Sequence, residues 1–165
     1  MELIEIKDLF EIDYGAPSPT ILSNDNELFI AFYAQNSNMY ALQPTESNIN
    51  YEQGIIALKF KMCIKYTFGM PGNETLHGHP YGKLGMESSS FYELRNSDFI
   101  KSQQEIEKVH SYYNEERWKT YKHYILTFHD NMFECIAQDF EIRQENISLY
   151  SQASVMLKQV SIPKI

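Results

Sequence analysis

The chain has 165 residues, a length suited to one domain with one hydrophobic core, and its 43% hydrophobic and 14% aromatic content excludes a disordered protein. Its 22 acidic and 14 basic residues give a net charge of −8, which repels phosphate backbones and argues against a nucleic-acid partner. The same charge suits steering toward a basic protein, although it is also routine for soluble domains. We therefore expect a single globular domain over residues 1–165.

The N-terminus predicts a protein that is not exported. Glu2 and Glu5 stand where a secretory signal carries basic residues, and no long apolar segment follows them. The longest apolar run, residues 28–34, is far shorter than the roughly 20 residues of a membrane helix. Cys63 and Cys135 are then expected to be free thiols. These features predict a cytoplasmic location and no membrane partner.

The first half of the chain reads mainly as strand. A β-hairpin is predicted between 20–23 and 27–34, because the connecting residues Asn, Asp and Asn favour turns. Residues 35–53, rich in Asn, Ser and Gln, are predicted to form a loop. Apolar side chains alternate from Ile56 to Phe68, which predicts a long strand. Its length favours a bend or bulge within it.

Helices are expected in the second half of the chain, after a strand at 91–95. Asn96 or Ser97 is predicted to cap the first helix, and Asn114 a short second one. The apolar positions of the first helix that fit helical spacing are Phe99, Ile106, Val109 and Tyr113, and they should face the core. A terminal helix is predicted after Ser148 or Ser151.

The clearest hairpin pairs 122–129 with 132–143, through a two-residue turn at Asp130 and Asn131. One face is then apolar and should be core: Tyr124, Leu126, Phe128, Phe133, Cys135 and Ala137. The other face is expected to be too polar for a core: His123, Ile125, Thr127, His129, Met132, Glu134, Ile136 and Gln138. Together the elements predict a β-rich α+β domain, a mainly antiparallel sandwich or partly open barrel with two or three short helices.

A glycine-rich loop is the first place to seek a functional site, because five of the seven glycines lie between residues 69 and 85. His77 and His79 are two residues apart and would point to one side of an extended segment, as two metal ligands can. The predicted hairpin places His129 and Glu134 diagonally on one face, so these residues and Glu74 are candidates to complete a Zn²⁺ or Fe²⁺ site. The alternative is a surface connection in which the histidines bond loop backbone, without any cofactor.

Other chemistry has weaker support in the sequence. Asp130 follows His129 and could assist acid–base work, although turn formation explains it equally well. Cys135 is predicted to lie in the core, and Cys63 lacks an assignable base. No phosphate-binding loop, dinucleotide fingerprint or nucleophile-elbow motif is present. The catalytic residues are therefore unknown, with Glu74, Glu134 and Asp130 as the weak candidates.

Three stretches together resemble an uncharacterised bacterial protein family: Phe68-Gly-Met-Pro-Gly-Asn-Glu74 with Gly78-His-Pro80, Tyr92-Glu-Leu-Arg-Asn-Ser97, and His123-Tyr-Ile-Leu-Thr-Phe-His-Asp-Asn-Met-Phe-Glu-Cys135. The family pattern has Asn and Asp at the positions of Gly72 and Asn73, and one more residue before Tyr81. The resemblance implies that the recurring polar positions are Glu74, His79, Asn96, Ser97, His129, Asp130 and Glu134. It implies no activity.

Two classes of function follow. The first is a noncatalytic protein-binding module, such as an immunity-type inhibitor with an acidic or aromatic surface for a basic protein. The alternative is a small metal-dependent enzyme or metal-binding protein, with His77, His79 and His129 as ligands and Glu74 or Glu134 as ligand or general base. A purely structural loop is the third possibility.

Overall fold

The computed structural model describes residues 1–25, 27–35 and 54–160. Within these ranges the strands are β1 (Glu2–Glu5), β2 (Thr20–Ser23), β3 (Leu28–Tyr33), β4 (Ile55–Lys61), β5 (Lys65–Gly69), β6 (Phe91–Arg95), β7 (Lys122–Thr127), β8 (Met132–Ala137) and β9 (Asp139–Glu145). The helices are α1 (Asp98–Glu107), α2 (Glu115–Trp118) and α3 (Leu149–Val160). The predicted β-rich α+β class is confirmed. The predicted loop at 35–53 lies outside the described residues, apart from residue 35.

The strands form two antiparallel sheets, one in the order β1-β6-β7-β8-β5 and one in the order β2-β3-β4-β9. The single strand predicted from Ile56 to Phe68 is two strands, β4 and β5, which belong to different sheets. The chain turns between them at Met62, whose φ is 52°. The predicted bend is therefore real, and it carries the chain from one sheet to the other.

The main core lies between the two sheets and is dominated by aromatic rings. Phe60 of β4 meets Tyr124 of β7 and Phe133 of β8, with ring centroids 5.6 and 5.4 Å apart. All three side chains are almost fully buried. Such interlocking rings contribute both burial of apolar area and favourable edge contacts.

The turn of the β7–β8 hairpin differs from the prediction. Tyr124 lies opposite Cys135, and the Phe128 N–H donates to the Asn131 carbonyl at 2.9 Å, so His129 and Asp130 form the turn. The predicted register was wrong by two residues. A shift of two residues leaves every side chain on the same face of the sheet, so side-chain polarity cannot distinguish the two registers. The predicted core face is nevertheless buried as expected.

The opposite face of this hairpin is also buried, against the prediction. The glycine-rich loop covers it and forms a second core: Leu76, Tyr81, Met86, Tyr92, Leu94, Ile125 and Met132. Polar side chains on this face have partners, as for Thr127, whose hydroxyl donates to the Glu87 carbonyl at 2.7 Å. Buried polar groups are tolerated when they are hydrogen-bonded, so the mixed composition did not prevent burial.

The helix caps were correctly predicted. Ser97 Oγ accepts from the Ile100 N–H at the start of α1, and Asn114 Oδ1 accepts from the Arg117 N–H at the start of α2. α3 buries Met156 against the outer face of the four-stranded sheet. Across the described ranges, no helix has both the length and the apolar composition needed to cross a bilayer.

The predicted inward face of the first helix is largely wrong. None of the ten residues of α1, all of which are described, is buried. Ile106 is 61% exposed, and Val109, just beyond the helix, is 91% exposed. Phe99, in the first turn, is the apolar residue that does pack, against the ring of His123. The helix therefore lies on the sheet at its N-terminal end and leaves its C-terminal end in solvent.

Gly72 should be sensitive to substitution because an added Cβ would lie 2.9 Å from the His129 carbonyl oxygen. We expect Gly72→Ala to lower the free energy of unfolding by about 1–3 kcal/mol through this clash with backbone. Gly78→Ala is the matched control in the same loop, since no described heavy atom lies within 4 Å of its added Cβ. Urea denaturation should show a change within about 0.5 kcal/mol for the control. Equal effects of the two substitutions would contradict the close approach.

Candidate functional site

The glycine-rich loop is fixed by one backbone contact with the β7–β8 hairpin and by one close contact within the loop. The Asn73 N–H donates to the His129 carbonyl at 2.8 Å, and Gly72 lies against the same peptide. Gly82 packs against the backbone of His77, where an added Cβ would be 2.8 Å from the carbonyl oxygen. Two 3₁₀ turns, Asn73–Gly78 and Gly82–Leu84, shape the segment between these contacts. The loop is therefore an ordered cover, and it encloses a polar cluster on the sheet.

The polar cluster is a line of three side chains from β6–α1, β7 and β8. Ser97 Oγ lies 2.7 Å from His123 Nδ1, and His123 Nε2 lies 3.0 Å from Glu134 Oε2. His123 is 0% exposed and Ser97 is 3% exposed. Ser97, His123 and Glu134 are called the buried triad below.

Each hydrogen bond of the buried triad determines the direction of the next. An ionised Glu134 accepts the Nε2 proton of a neutral His123, which leaves the Nδ1 lone pair free to accept from the Ser97 hydroxyl. Thr67 adds a further donor, because its hydroxyl lies 3.1 Å from Glu134 Oε1. The arrangement of a nucleophile, a base and an orienting carboxylate is the one that activates serine in acyl-transfer enzymes.

Local backbone geometry places Ser97 at this point. Asn96, with a φ of 54°, turns the chain sharply between β6 and α1. Asn is among the few residues that adopt this left-handed conformation readily. Ser97 is thereby left in extended conformation as the N-cap of α1, with its hydroxyl directed toward β7. The sequence Arg-Asn-Ser at the end of β6 is thus a strand–turn–helix junction.

Two aromatic side chains seal the buried triad from solvent. The rings of Tyr81 and Phe99 lie 5.7 and 5.0 Å from the His123 ring. Tyr81 is 9% exposed, and burial together with the nearby Glu134 carboxylate raises its pKa. Among the described residues these rings lie beside the imidazole and Ser97 is buried, so a substrate would reach its hydroxyl only after they move.

Ionisation of Glu134 is coupled to folding. Burial acts to raise the pKa of Glu134, but the hydrogen bond from His123, aided by one from Thr67, outweighs it and holds the pKa below its ordinary value of 4.5. The pKa of His79 is lowered, mainly by burial. At both groups the unfolded chain binds a proton more readily than the folded protein does. Acidification through these pKa values therefore lowers the free energy of unfolding.

The structure separates the residues that the sequence grouped as a site. Glu134 belongs to the buried triad, and His79 lies close enough for its pKa to respond to Glu134 and His123. His77 and Glu74 are exposed on the cover loop. His129 and Asp130 bond each other at the hairpin turn, with Nδ1 and Oδ1 2.8 Å apart.

These positions do not assemble the predicted metal centre. Among the described residues there is no group of three or more His, Cys, Asp and Glu side chains that could hold a metal ion. His77, His79 and His129 are all described, so this arrangement does not bring them together as ligands. The diagonal neighbour of Glu134 is His123, because the true register lies two residues from the predicted one.

Sequence reasoning missed His123 and the role of Ser97 for the same reason. The sequence predicts His123 on a face too polar for a core, and it offers Ser97 as a helix cap and as a recurring polar position without linking it to His123. Residues in diagonal positions on one face of a hairpin lie close enough to interact. With the turn at His129 and Asp130, His123 and Glu134 are such neighbours, so the correct register would have revealed the pair.

A second candidate site is the exposed surface around the end of α1 and α2, called here the α1–α2 surface. It surrounds a groove of about 280 Å³, and Ile106 and Val109 are nearby in sequence. The residues that line the groove are Ile64, Glu107, His110, Tyr112, Tyr113, Asn114, Arg117, Trp118 and Tyr121. Tyr112 is 87% exposed. Gln104 donates to the Tyr113 hydroxyl at 2.7 Å, and Arg117 donates to the Tyr121 hydroxyl at 3.3 Å. The groove side chains are therefore held in place by the protein itself.

Comparison with known proteins adds no relative. No protein-family model, no curated protein and no solved structure matches the chain. The resemblance of its motifs to an uncharacterised family stays a prediction, and the functional argument rests on the residues described above.

Replacing Glu134 by Gln should change how stability depends on pH. At neutral pH we expect Glu134→Gln to lower the free energy of unfolding by roughly 1–3 kcal/mol, because the charged partner of His123 is lost. The folded-state pKa is depressed, so this contribution is present above the ordinary value of 4.5 and is lost as pH falls through the lower folded value. Urea denaturation between about pH 6 and pH 3 should show the two proteins converging.

Glu74→Gln is the control, since Glu74 is exposed on the cover loop. Its difference from wild type should stay within about 0.5 kcal/mol over the same range. A constant gap between wild type and Glu134→Gln down to the lowest pH would show that the carboxylate is not coupled to folding.

Proposed function

We propose that this protein is a noncatalytic protein-binding module that uses the α1–α2 surface to hold a basic partner protein. The observation that carries the proposal is the uncovered apolar segment at and just after the end of α1, where Ile106 is 61% exposed, Val109 91% and Tyr112 87%. Apolar side chains exposed together are a mark of interaction surfaces. The proposal retains the cytoplasmic location and the absence of a nucleic-acid partner expected from the sequence.

The composition of the α1–α2 surface supports protein recognition. Tyr, Trp and Arg are the residues enriched among those that dominate binding energy, and Tyr112, Arg117 and Trp118 all line the groove. The Trp118 and Tyr121 rings lie 5.4 Å apart, which adds rigidity. Side chains already fixed in the free protein lose little conformational freedom on binding.

The chemistry of the partner is inferred from charge. The net charge of −8 favours encounter with a basic protein and speeds its association. Several lysines near the surface are already neutralised, as Lys108 pairs with Glu105 and Lys119 with Glu116. Glu107 and Glu115 remain exposed beside the groove. An inhibitor or immunity-type role, in which an acidic aromatic surface covers a basic protein, fits these features.

The joint substitution Val109→Ser and Tyr112→Ser should abolish partner binding without unfolding the protein. Both side chains are almost fully exposed, so the change in stability should stay within about 1 kcal/mol. Tyr150→Ser is the matched control, because Tyr150 is 83% exposed on α3, outside the α1–α2 surface. Quantitative capture from lysate should recover one basic partner with wild type and control, with slower association at high salt. Equal recovery by the double variant would contradict the proposal.

A serine hydrolase is the second candidate function, and the geometry of the buried triad is the specific observation that favours it. The two hydrogen bonds of 2.7 and 3.0 Å are within the range of an activated serine. The N-terminus of α1 adjoins Ser97 and supplies backbone N–H groups near its hydroxyl. Burial of Ser97 counts against this candidate and ranks it second.

A fluorophosphonate probe tests the hydrolase candidate directly, because an activated serine displaces fluoride from its phosphorus atom. If the triad is catalytic, wild type should be labelled at Ser97 and Ser97→Ala should not be labelled. Ser97→Ala loses both the helix cap and the partner of buried His123 Nδ1, each worth about 1–3 kcal/mol, so circular dichroism must show that the variant is folded before it is labelled. Ser102→Ala, an exposed serine of α1, is the control and should label like wild type. Unlabelled wild type, confirmed by mass spectrometry, would exclude the hydrolase candidate.

A further inference from the structure

A groove separate from the α1–α2 surface lies beside α3 on the four-stranded sheet, near the edge strand β9. It has a volume of about 210 Å³ and is lined by Phe29, Ala57, Lys59, Glu141, Arg143, Gln152 and Gln159. Ala57 pairs directly with Arg143 across β4 and β9. The small side chain of Ala57 leaves room beside the arginine. The groove therefore lies between one side of α3, which contributes Gln152 and Gln159, and the outer face of the four-stranded sheet.

Gln152 is the unusual residue of the groove. It is only 4% exposed, yet its side-chain amide has no hydrogen-bond partner among the described residues. Within the same ranges Asn131 Oδ1 is the one fully enclosed side-chain polar atom that lacks a partner. The Gln152 amide is therefore not sealed in the core but opens into the groove. An amide that opens into the groove without a protein partner offers both a donor and an acceptor to a bound molecule.

The charges of the groove leave one cation unneutralised. Lys59 pairs with Glu27 at 2.9 Å, and Glu141 pairs with Lys61 at 3.1 Å. Arg143 has no ion-pair partner among the described residues and is exposed. An arginine whose planar donors are not engaged is suited to bind a carboxylate with two parallel hydrogen bonds.

We propose that this groove binds a small organic carboxylate. Arg143 holds the carboxylate, the Gln152 amide bonds a carboxylate oxygen or the adjacent polar group, and Phe29 and Ala57 form an apolar floor under the rest of the molecule. Phe29 and Ala57 are 4% and 5% exposed. A volume of about 210 Å³ is below that of drug-sized pockets, so the ligand is one small acid and not a protein segment.

Benzoate is a suitable probe because it joins a planar carboxylate to an apolar ring, and benzamide is its neutral counterpart of the same shape. Titration of ¹⁵N-labelled protein should give saturable shifts of the Gln152 side-chain amide and the Arg143 Nε–H with benzoate. Benzamide should bind at least about tenfold more weakly, because it lacks the charge that Arg143 pairs with.

Two variants make the test specific to the groove. Arg143→Gln removes the charge at an exposed position, and benzoate affinity should fall at least about tenfold. Lys158→Gln removes an exposed cation from α3 outside the groove and should bind like wild type. Dispersed spectra establish that both variants are folded. Shifts that do not saturate, or equal affinity in wild type and Arg143→Gln, would overturn the proposal. Neither result bears on binding at the α1–α2 surface.

Discussion

Burial of His123 is the constraint on which much of this structure depends. The residue lies in the middle of a sheet whose two faces are both covered, so its imidazole cannot be hydrated. Leaving such a polar ring unpaired would cost a large part of the stability of a small domain. The bonds to Ser97 and Glu134 satisfy both ring nitrogens at once. The positions of β6, β7, β8 and the start of α1 are thereby linked through one side chain.

The same constraint accounts for the ordered glycine-rich loop. The outer face of the sheet carries Ile125 and Met132 beside His123, and a loop in solvent would leave these apolar groups exposed. Leu76 and Tyr81 from the loop cover them instead. A loop can approach a hairpin this closely only where a side chain is missing, as at Gly72, and Gly82 allows the loop to pack against its own backbone at His77. The glycines that suggested a functional loop therefore serve close packing.

Sequence reasoning succeeded where local periodicity carries the information and failed where tertiary contacts decide. The alternation in β7 and β8 correctly identified Tyr124 and Phe133 as core, and cap chemistry correctly placed Ser97. The polarity of the side chains could not reveal the two-residue difference in the β7–β8 register. It also could not show that the glycine-rich loop would cover the face of the hairpin that carries both polar and apolar residues. The predicted register placed His129 diagonally across from Glu134, in the position that His123 occupies in the structure. The exposed position of Val109 was equally hidden, since an amphipathic pattern does not say how far a helix contacts its sheet.

The buried triad also bears on the surface proposed for binding. α1 is held at its N-terminus, where Ser97 bonds His123 and the Phe99 ring packs on the same imidazole. Lys65 extends this attachment by one turn, because its ammonium lies 4.8 Å from the Phe99 ring and donates to Gln103. Beyond that point the helix continues without burial and presents Val109 to solvent. The buried triad therefore fixes the start of α1, and through it the direction in which the end of the helix projects.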